Sequence, residues 1–485
     1  MLLTIGLEIH IKLKSVNKMF CQCPNEQNFD ALLPNTHICP VCTGQPGALP
    51  TLSQEVLDKA LLLGKALNCK INKISSFDRK SYFYPDLPMG YQITQLYHPT
   101  NTEGKVNFFL DNYTTEKTVH IQDAHMECDT GKMIHNWGEA LLDFNRAGTP
   151  LVEIVTLPDF RSVEEVVEFL KELQRIVRFN DIADADLEKG QMRVDVNISL
   201  RNSEKDPYGT RAEIKNINSF GMIKRAIEHE KDRQEAIYAA GETFEQQTRG
   251  RDDTKGESYL MRSKEDALDY RYFPEPDLPS LHLSDETFKR LDEQTIVIPH
   301  EVIKQFSQDY GFNKEYINAL ISDKDILNYF KKLESLFTKE GNEGWLKSKL
   351  IAKRISWPIA ARLNEHFKTI NELPFNQDTF IEFLTNAQAG NLIENQLKVV
   401  MQEMLSTWKN PSEIIKEKWF DTPAIDSNEI ELIAKQILEE NPAIVEQYKD
   451  GKTTTIWFFI GQLMKKTWGK TNPKTAQEIF EKLLG

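Results

Sequence analysis

Two stretches of this chain alternate apolar and polar residues with a period of two. In the first, Ile5, Leu7, Ile9, Ile11 and Leu13 interleave with Glu8, His10 and Lys12. In the second, Val194, Val196, Ile198 and Leu200 interleave with Arg193, Asp195, Asn197 and Ser199. Successive strand side chains point to opposite faces, so each stretch predicts a half-buried strand with one polar face. Asp206-Pro207-Tyr208-Gly209 supplies turn residues after the second stretch and predicts an antiparallel hairpin with 210–218. Elsewhere the apolar spacing is helical, over Val163–Phe179 and Met222–Ala240. Tyr82-Phe83-Tyr84-Pro85-Asp86-Leu87-Pro88 is echoed by Tyr272-Phe273-Pro274-Glu275-Pro276-Asp277-Leu278-Pro279, and both read as proline-fixed loops.

The pattern shifts near Pro274–Pro279. From Leu291 onward the spacing is almost wholly helical, with a second break at Asn410-Pro411-Ser412. The expected organisation is a strand-rich domain over 1–290, a helical domain over 291–408 and a helical tail over 409–485. With 485 residues there is ample length for several buried cores. No apolar run approaches the ~18 residues a membrane-spanning helix needs. The first residues reach Glu8 without a basic lead, unlike a signal peptide.

Charge narrows the choice of partners. The net charge of −14 argues against a protein that grips nucleic acid over its whole surface. The final 35 residues reverse the sign: Lys452, Lys465, Lys466, Lys470, Lys474 and Lys482 stand against Glu478 and Glu481. Such a patch suits a nucleic-acid backbone and equally an ordinary solvated helix.

Four of the six cysteines form two close pairs, Cys21-Gln22-Cys23 and Cys39-Pro40-Val41-Cys42, 15 residues apart. Paired thiolates from two tight turns suit tetrahedral zinc, and an all-cysteine set is closed, hence structural. Cys69 and Cys128 read as small buried side chains. Clustered rather than framework cysteines fit a reducing cytoplasm.

Acidic residues recur on the polar strand faces. Glu8 and His10 share one face, an arrangement that suits a divalent ion and equally a solvated surface. His125, Glu127 and Asp129 lie within Asp123–Asp129, and Glu153 interrupts the apolar run Leu151-Val152-Glu153-Ile154-Val155. A carboxylate inside such a run must find a partner, because isolated buried charge is costly. Asp195 and Glu213 sit among Arg193, Arg211 and Lys215. Oxygen ligands with nearby cations suit magnesium and phosphates. Neither Gly451-Lys452-Thr453 nor Gly469-Lys470-Thr471 completes a P-loop, because Glu446 and Met464 stand where its first glycine belongs.

The chain closely resembles the GatB family, which belongs to the aspartyl/glutamyl-tRNA(Asn/Gln) amidotransferases. The resemblance rests on Ile5-Gly6-Leu7-Glu8-Ile9-His10, the cysteine pairs, Phe77–Pro88, Asp143–Ile154, Met192–Ser199, Arg211–Phe220 and Asp269–Pro279. Gly461–Lys465 and Gly469–Pro473 resemble the family's YqeY-like tail. The resemblance implies an α+β fold: an antiparallel-sheet cradle similar to the glutamine synthetase core, then a helical domain and an all-helical tail. It implies a cytoplasmic, ATP-binding ligase of protein biosynthesis. ATP phosphorylates the side-chain carboxylate of glutamate on tRNA(Gln) or aspartate on tRNA(Asn), and ammonia then displaces phosphate. GatA would supply that ammonia from glutamine and GatC would complete a heterotrimer.

Carried onto this sequence, Glu8, His10, Glu127, Glu153, Asp195 and Glu213 become candidate magnesium and reaction-site residues. Arg79, Lys80, Arg193, Arg211 and Lys215 become candidates for the nucleotide phosphates. Lys465, Lys466 and Lys470 become candidates for tRNA. The family often reads His-x-Glu-Glu-Asp, whereas this chain has His125-Met126-Glu127-Cys128-Asp129. A candidate metal ligand is thereby replaced by a soft thiol, a poor partner for magnesium. Two rival readings remain: GatE, a relative with an added domain, and a non-catalytic, zinc-stabilised RNA-binding scaffold.

Overall fold

The computed structural model describes residues 1–484 apart from 137, 253–256, 264–268, 338–343, 360–362, 364–368, 391, 419, 421–426, 468–470 and 472. It divides into two compact units, Met1–Lys314 and Glu315–Gly485.

The first unit is built on strands. In chain order they are β1 (Leu2–Lys12), β2 (Lys70–Ile71), β3 (Ile74–Ser75), β4 (Asp78–Ser81), β5 (Tyr91–Thr94) and β6 (Asn101–Leu110). Next come β7 (Thr115–Cys128), β8 (Lys132–Asn136), β9 (Glu139–Asp143), β10 (Pro150–Thr156) and β11 (Met192–Arg201). The last are β12 (Ala212–Ile217), β13 (Gln247–Asp252), β14 (Glu257–Ser263), β15 (Phe273–Pro274) and β16 (Leu281–His282). Nine of them form one sheet in the order β14-β13-β12-β11-β1-β10-β7-β6-β2. Every pairing in it is antiparallel except β12 with β13.

Alternation decides the two faces of this sheet. Leu3, Ile5, Leu7, Ile9 and Ile11 of β1 enter one core with Val194, Val196 and Ile198 of β11 and Val152 and Ile154 of β10. Helices α1 (Gln54–Ala66), α2 (Val163–Phe179) and α3 (Phe220–Ala239) pack against that side. α2 starts where Ser162 Oγ accepts the Glu165 amide at 3.2 Å, and α3 where Ser219 Oγ accepts the Met222 amide at 3.2 Å. The opposite side of the central strands carries the polar alternates. The hairpin of β11 with β12 and both helices of the sequence reading are present, α3 starting two residues early. Of the two proline-rich echoes, the second contains strand β15, which pairs with β4 just before the first echo. The reading of both as loops is corrected to that extent.

The described residues of the second unit contain helices and no strand. Gly344–Arg354, Gln377–Gln388, Glu394–Thr407 and neighbouring helices bury Phe380, Phe383 and Val400. Pro411 opens the helix Pro411–Glu417 at its first position, so the break read at 410–412 is a helix start. The last helices surround Phe459, Leu463 and Phe480. Among the described residues, no helix is long and apolar enough to cross a membrane.

Candidate active site

Register brings distant acids together on the polar side of the sheet. His10 of β1 stands opposite Glu153 on β10 and Arg193 on β11, and Glu153 stands opposite His125 on β7. Glu8 faces Asp195 on β11, and Asn197 faces Glu213 on β12. Two ligand sets result: His10, Glu127 and Glu153, and Glu8, Asp195 and Glu213. Within each set, one ligand atom per residue lies within 4.8 Å of the others.

The first set is half enclosed. His10 Nε2 lies 3.5 Å from Glu127 Oε1 and 3.4 Å from Glu153 Oε2, and that same Glu153 oxygen lies 3.3 Å from His125 Nε2. His125 Nδ1 is held by Asp123 Oδ1 at 2.7 Å. Gln92 Nε2 donates to Glu127 Oε1 at 2.6 Å, and Lys80 Nζ faces Glu127 Oε2 at 3.6 Å. Burial lowers the affinity of His10 for its proton, but the charge of Glu153 and contacts with Glu127 and Glu153 outweigh it and raise its pKa to about 9. Burial likewise opposes ionisation of Glu153, yet His10 and His125 hold its carboxyl well below the usual range.

The second set already holds a cation. Lys215 Nζ sits 2.7 Å from Asp195 Oδ2 and 2.8 Å from Glu213 Oε1. Thr248 Oγ1 donates to Glu213 Oε2 at 2.9 Å, and Asn197 Nδ2 to Glu8 Oε1 at 3.0 Å. Burial raises the Glu8 carboxyl above its ordinary value, and the charges of Glu153 and Glu213 push it the same way. A divalent ion would remove that strain. The oxygen-rich donors suit magnesium, and the buried Glu127 Oε2 accepts no hydrogen bond among the described residues.

Several candidates lie elsewhere. Successive residues of β4 point to opposite sides, so Lys80 reaches Glu127 while Arg79 turns away. Arg79 makes two bonds to Glu275, at 2.7 and 2.8 Å, meets Asp277 at 3.0 Å and lies over the Tyr91 ring. The structure therefore does not bring Arg79 to either set. Arg193 pairs with Asp129 at 3.1 Å beside the first set. Arg211 is exposed at the end of the sheet face beyond Glu8. Lys466 is held by Glu440 at 2.7 Å, Lys465 is exposed, and Lys470 lies outside the described residues.

Cys128 corrects an expectation. On β7 the residues Asp123, His125 and Glu127 face the site, so Ala124, Met126 and Cys128 face the core. Its thiol is buried and donates to the Ile93 carbonyl at 3.5 Å. The replacement therefore removes no ligand from the sets seen here. Cys69 is only partly buried, short of the reading made from sequence.

Cys21, Cys23, Cys39 and Cys42 converge with their sulfurs within 4.8 Å of one another. The Cys39 amide donates to Cys42 Sγ at 3.2 Å. Lys18, fully buried, places Nζ 3.7 Å from Cys42 Sγ and donates to the His37 carbonyl at 2.8 Å. Four thiolates around a divalent ion carry excess negative charge, which a buried ammonium offsets. Sequence reasoning did not single out Lys18, nor Asp123 and Gln92. Asp123 shares the alternation of His125 and Glu127 and was findable on that signal, whereas Lys18 and Gln92 carry none.

Residues 3–289 match the family model of the GatB/GatE catalytic domain, and residues 335–484 match that of the GatB domain. A protein of Elusimicrobium minutum is 42% identical over 480 residues, covering 99% of this chain and 98% of that protein. One of Persephonella marina is 38% identical over 480 residues, with the same coverage of both chains. One of Thermotoga maritima is 39% identical over 487 residues, again covering 99% and 98%. All three are named as the B component of an aspartyl/glutamyl-tRNA(Asn/Gln) amidotransferase.

Proposed function

The chain belongs to the GatB/GatE family, and on that footing we propose that it is the GatB component of a tRNA-dependent amidotransferase. Its substrates are glutamate on tRNA(Gln), aspartate on tRNA(Asn), or both. The observation that carries this reading is the convergence of six ligand residues from five adjacent strands on one sheet face.

The side-chain carboxylate of the mischarged amino acid attacks the γ-phosphorus of ATP, releasing ADP and leaving an acyl phosphate. Ammonia then attacks the acyl carbon and phosphate departs. A carboxylate oxygen is a poor leaving group and phosphate a good one, so the two steps replace one unfavourable substitution. His10, Glu127 and Glu153 would hold one magnesium ion, and Glu8, Asp195 and Glu213 another. Bound there, magnesium supplies neutralisation of phosphate charge. Lys80 and Lys215 keep their protons, because the neighbouring carboxylates raise both above the ordinary lysine value against the opposing effect of burial. Lys80 adds fixed positive charge beside the first set and Lys215 within the second. Arg193, beside the first set, and Arg211, beyond Glu8, would be the arginines that meet phosphates.

The four cysteines would hold a structural zinc. The sheet unit would form a cradle similar to the glutamine synthetase core, with domain limits at 290 and 408 and a YqeY-like tail that would contact tRNA through Lys465, Lys466 and Lys470. GatA and GatC are the expected partners, and the cytoplasm the expected compartment. The test is an amidation assay with co-expressed GatA and GatC, offering each mischarged tRNA in turn. ATP turnover that depends on mischarged tRNA supports the reading. Turnover at the wild-type rate by a Glu8→Ala/His10→Ala double variant defeats the metal assignment, and tRNA binding without any turnover favours the scaffold.

A further inference from the structure

β12, α3 and β13 form one crossover. β13 joins the sheet parallel to β12, and a parallel neighbour is reached only by carrying the chain back along the sheet, which α3 does between them. Register sets Glu213 opposite Thr248 and Ile214 opposite Arg249. Alternation sends consecutive residues of β13 to opposite sides. Thr248 shares the polar side with Glu213, and Arg249 turns toward α3.

Both side chains are fastened. On the helix side, Glu230 of α3 is fully buried and accepts from Arg233 at 2.7 and 2.9 Å and from Gln234 Nε2 at 2.8 Å. Arg249 Nε lies 3.7 Å from Glu230 Oε2 and donates to Ser258 Oγ on β14 at 2.9 Å. Gln234 Nε2 also donates to the Ile198 carbonyl of β11 at 3.3 Å. α3 therefore ties β13 to β11 across the intervening β12. On the polar side, Thr248 is 8% exposed and its Oγ1 donates to Glu213 Oε2 at 2.9 Å. The other oxygen, Glu213 Oε1, faces Lys215 at 2.8 Å and, across it, Asp195.

The two ligand sets thus draw on different supports. Gln92 of β5 holds Glu127, and His125 of β7 stands against Glu153. A ligating carboxylate that keeps one oxygen in a hydrogen bond cannot rotate freely, so its other oxygen stays aimed at the site. Loss of such a support typically weakens metal binding about ten- to a hundredfold. We propose that Thr248 is a positioning residue of the reaction: its hydroxyl fixes Glu213 so that Oε1 is the oxygen offered to a divalent ion in the second set. Arg249 and Glu230 act one step further out, by holding β13 in register. This assignment rests on the magnesium reading above. It adds that the two ions are supported separately, the second through a strand that contributes no residue to either set.

The test uses the full chain, with manganese(II) as the probe counted by electron paramagnetic resonance. Thr248→Val removes the hydroxyl and keeps the shape, Thr248→Ala removes it should the valine variant fail to fold, and Thr248→Ser keeps it. Circular dichroism checks each fold. Wild type is expected to bind one ion per set, and Thr248→Val to bind one of them about ten- to a hundredfold more weakly while the other changes less than about twofold. Thr248→Ser should bind both as wild type does. In the co-expressed complex, the magnesium concentration for half-maximal amidation should rise in step, with the rate at saturating magnesium largely kept. Unchanged manganese binding in a folded variant without the hydroxyl overturns the proposal, as does equal weakening of both ions or a serine variant that behaves like valine. Wild type that binds a single ion, held equally well by Thr248→Val, removes this inference alone. Wild type that binds no manganese removes the magnesium reading with it.

Discussion

The chain contains two kinds of ligand cluster, and they are assembled in opposite ways. The four cysteines come from one 22-residue stretch, drawn together by tight turns with a single buried lysine beside Cys42. The six hard ligands come from β1, β7, β10, β11 and β12, whose residues are separated by up to about two hundred positions in sequence. The first cluster is a local closure within 21–42. The second exists only when five strands are in register. A locally built site survives distant damage, whereas a site built by register reports on the whole sheet.

The sharpest way to break this contrast is to remove one ligand of the register-built site. Glu153→Ala should lower amidation about a thousandfold or more while leaving the protein folded, since electrostatic stabilisation at the reacting centre is lost. Amidation assays beside a thermal melt decide it, and a melt that collapses together with activity would show that Glu153 is chiefly structural. Next in size, Cys39→Ser should release zinc and lower the melting temperature by roughly 5–10 °C, with ammonia-dependent amidation per folded molecule nearly intact. Metal analysis and calorimetry check this, and full zinc occupancy in the variant would contradict the closed four-cysteine site.

A pH series probes the register-built site from the other side. The pKa of His10 is raised to about 9 and that of His125 to about 10 in the metal-free fold. Both groups therefore stabilise the fold fully below the ordinary histidine value of about 6.5, and that contribution is lost as pH rises through 9 to 10. Metal-free protein should melt at progressively lower temperature across that window, and His10→Gln should flatten the decline. A variant that declines as steeply as wild type would locate the effect elsewhere. The smallest expected effect is at Cys128. Cys128→Ala should cost about 1 kcal/mol of stability, as trimming of a buried small group does, and leave the magnesium dependence of amidation unchanged.

Much of this architecture was legible in the chain. Period-two alternation marked β1 and β11 and predicted that Glu8 and His10 share a face, and the cysteine spacing marked the thiolate cluster. The family motifs drew Glu127, Glu153, Asp195 and Glu213 into one set of candidates, but only register divides them into two. The fate of Arg79 was not legible, because sequence cannot show that β4 directs Lys80 and Arg79 to opposite sides or that Glu275 waits for the arginine. Cys128 failed for a related reason. The family motif suggested a missing ligand, while alternation on β7 turns the position into the core. His125 was noticed as part of an acidic stretch, but its hold on Glu153 depends on the pairing of β7 with β10.

The even spacing of Thr4, Gly6, Glu8 and His10 on β1 gives the strand the character of a parity code. Inserting or deleting one residue upstream within β1 turns odd positions into even ones, so Ile9 would face the reaction and His10 the oil. Such an error cannot pass as a partial loss of function, because it exposes the core in the same stroke. A change of two residues keeps parity but slides every ligand by about 7 Å, past its partners on both neighbouring strands. The length of this strand is thus as tightly constrained as the identity of the ligands it carries.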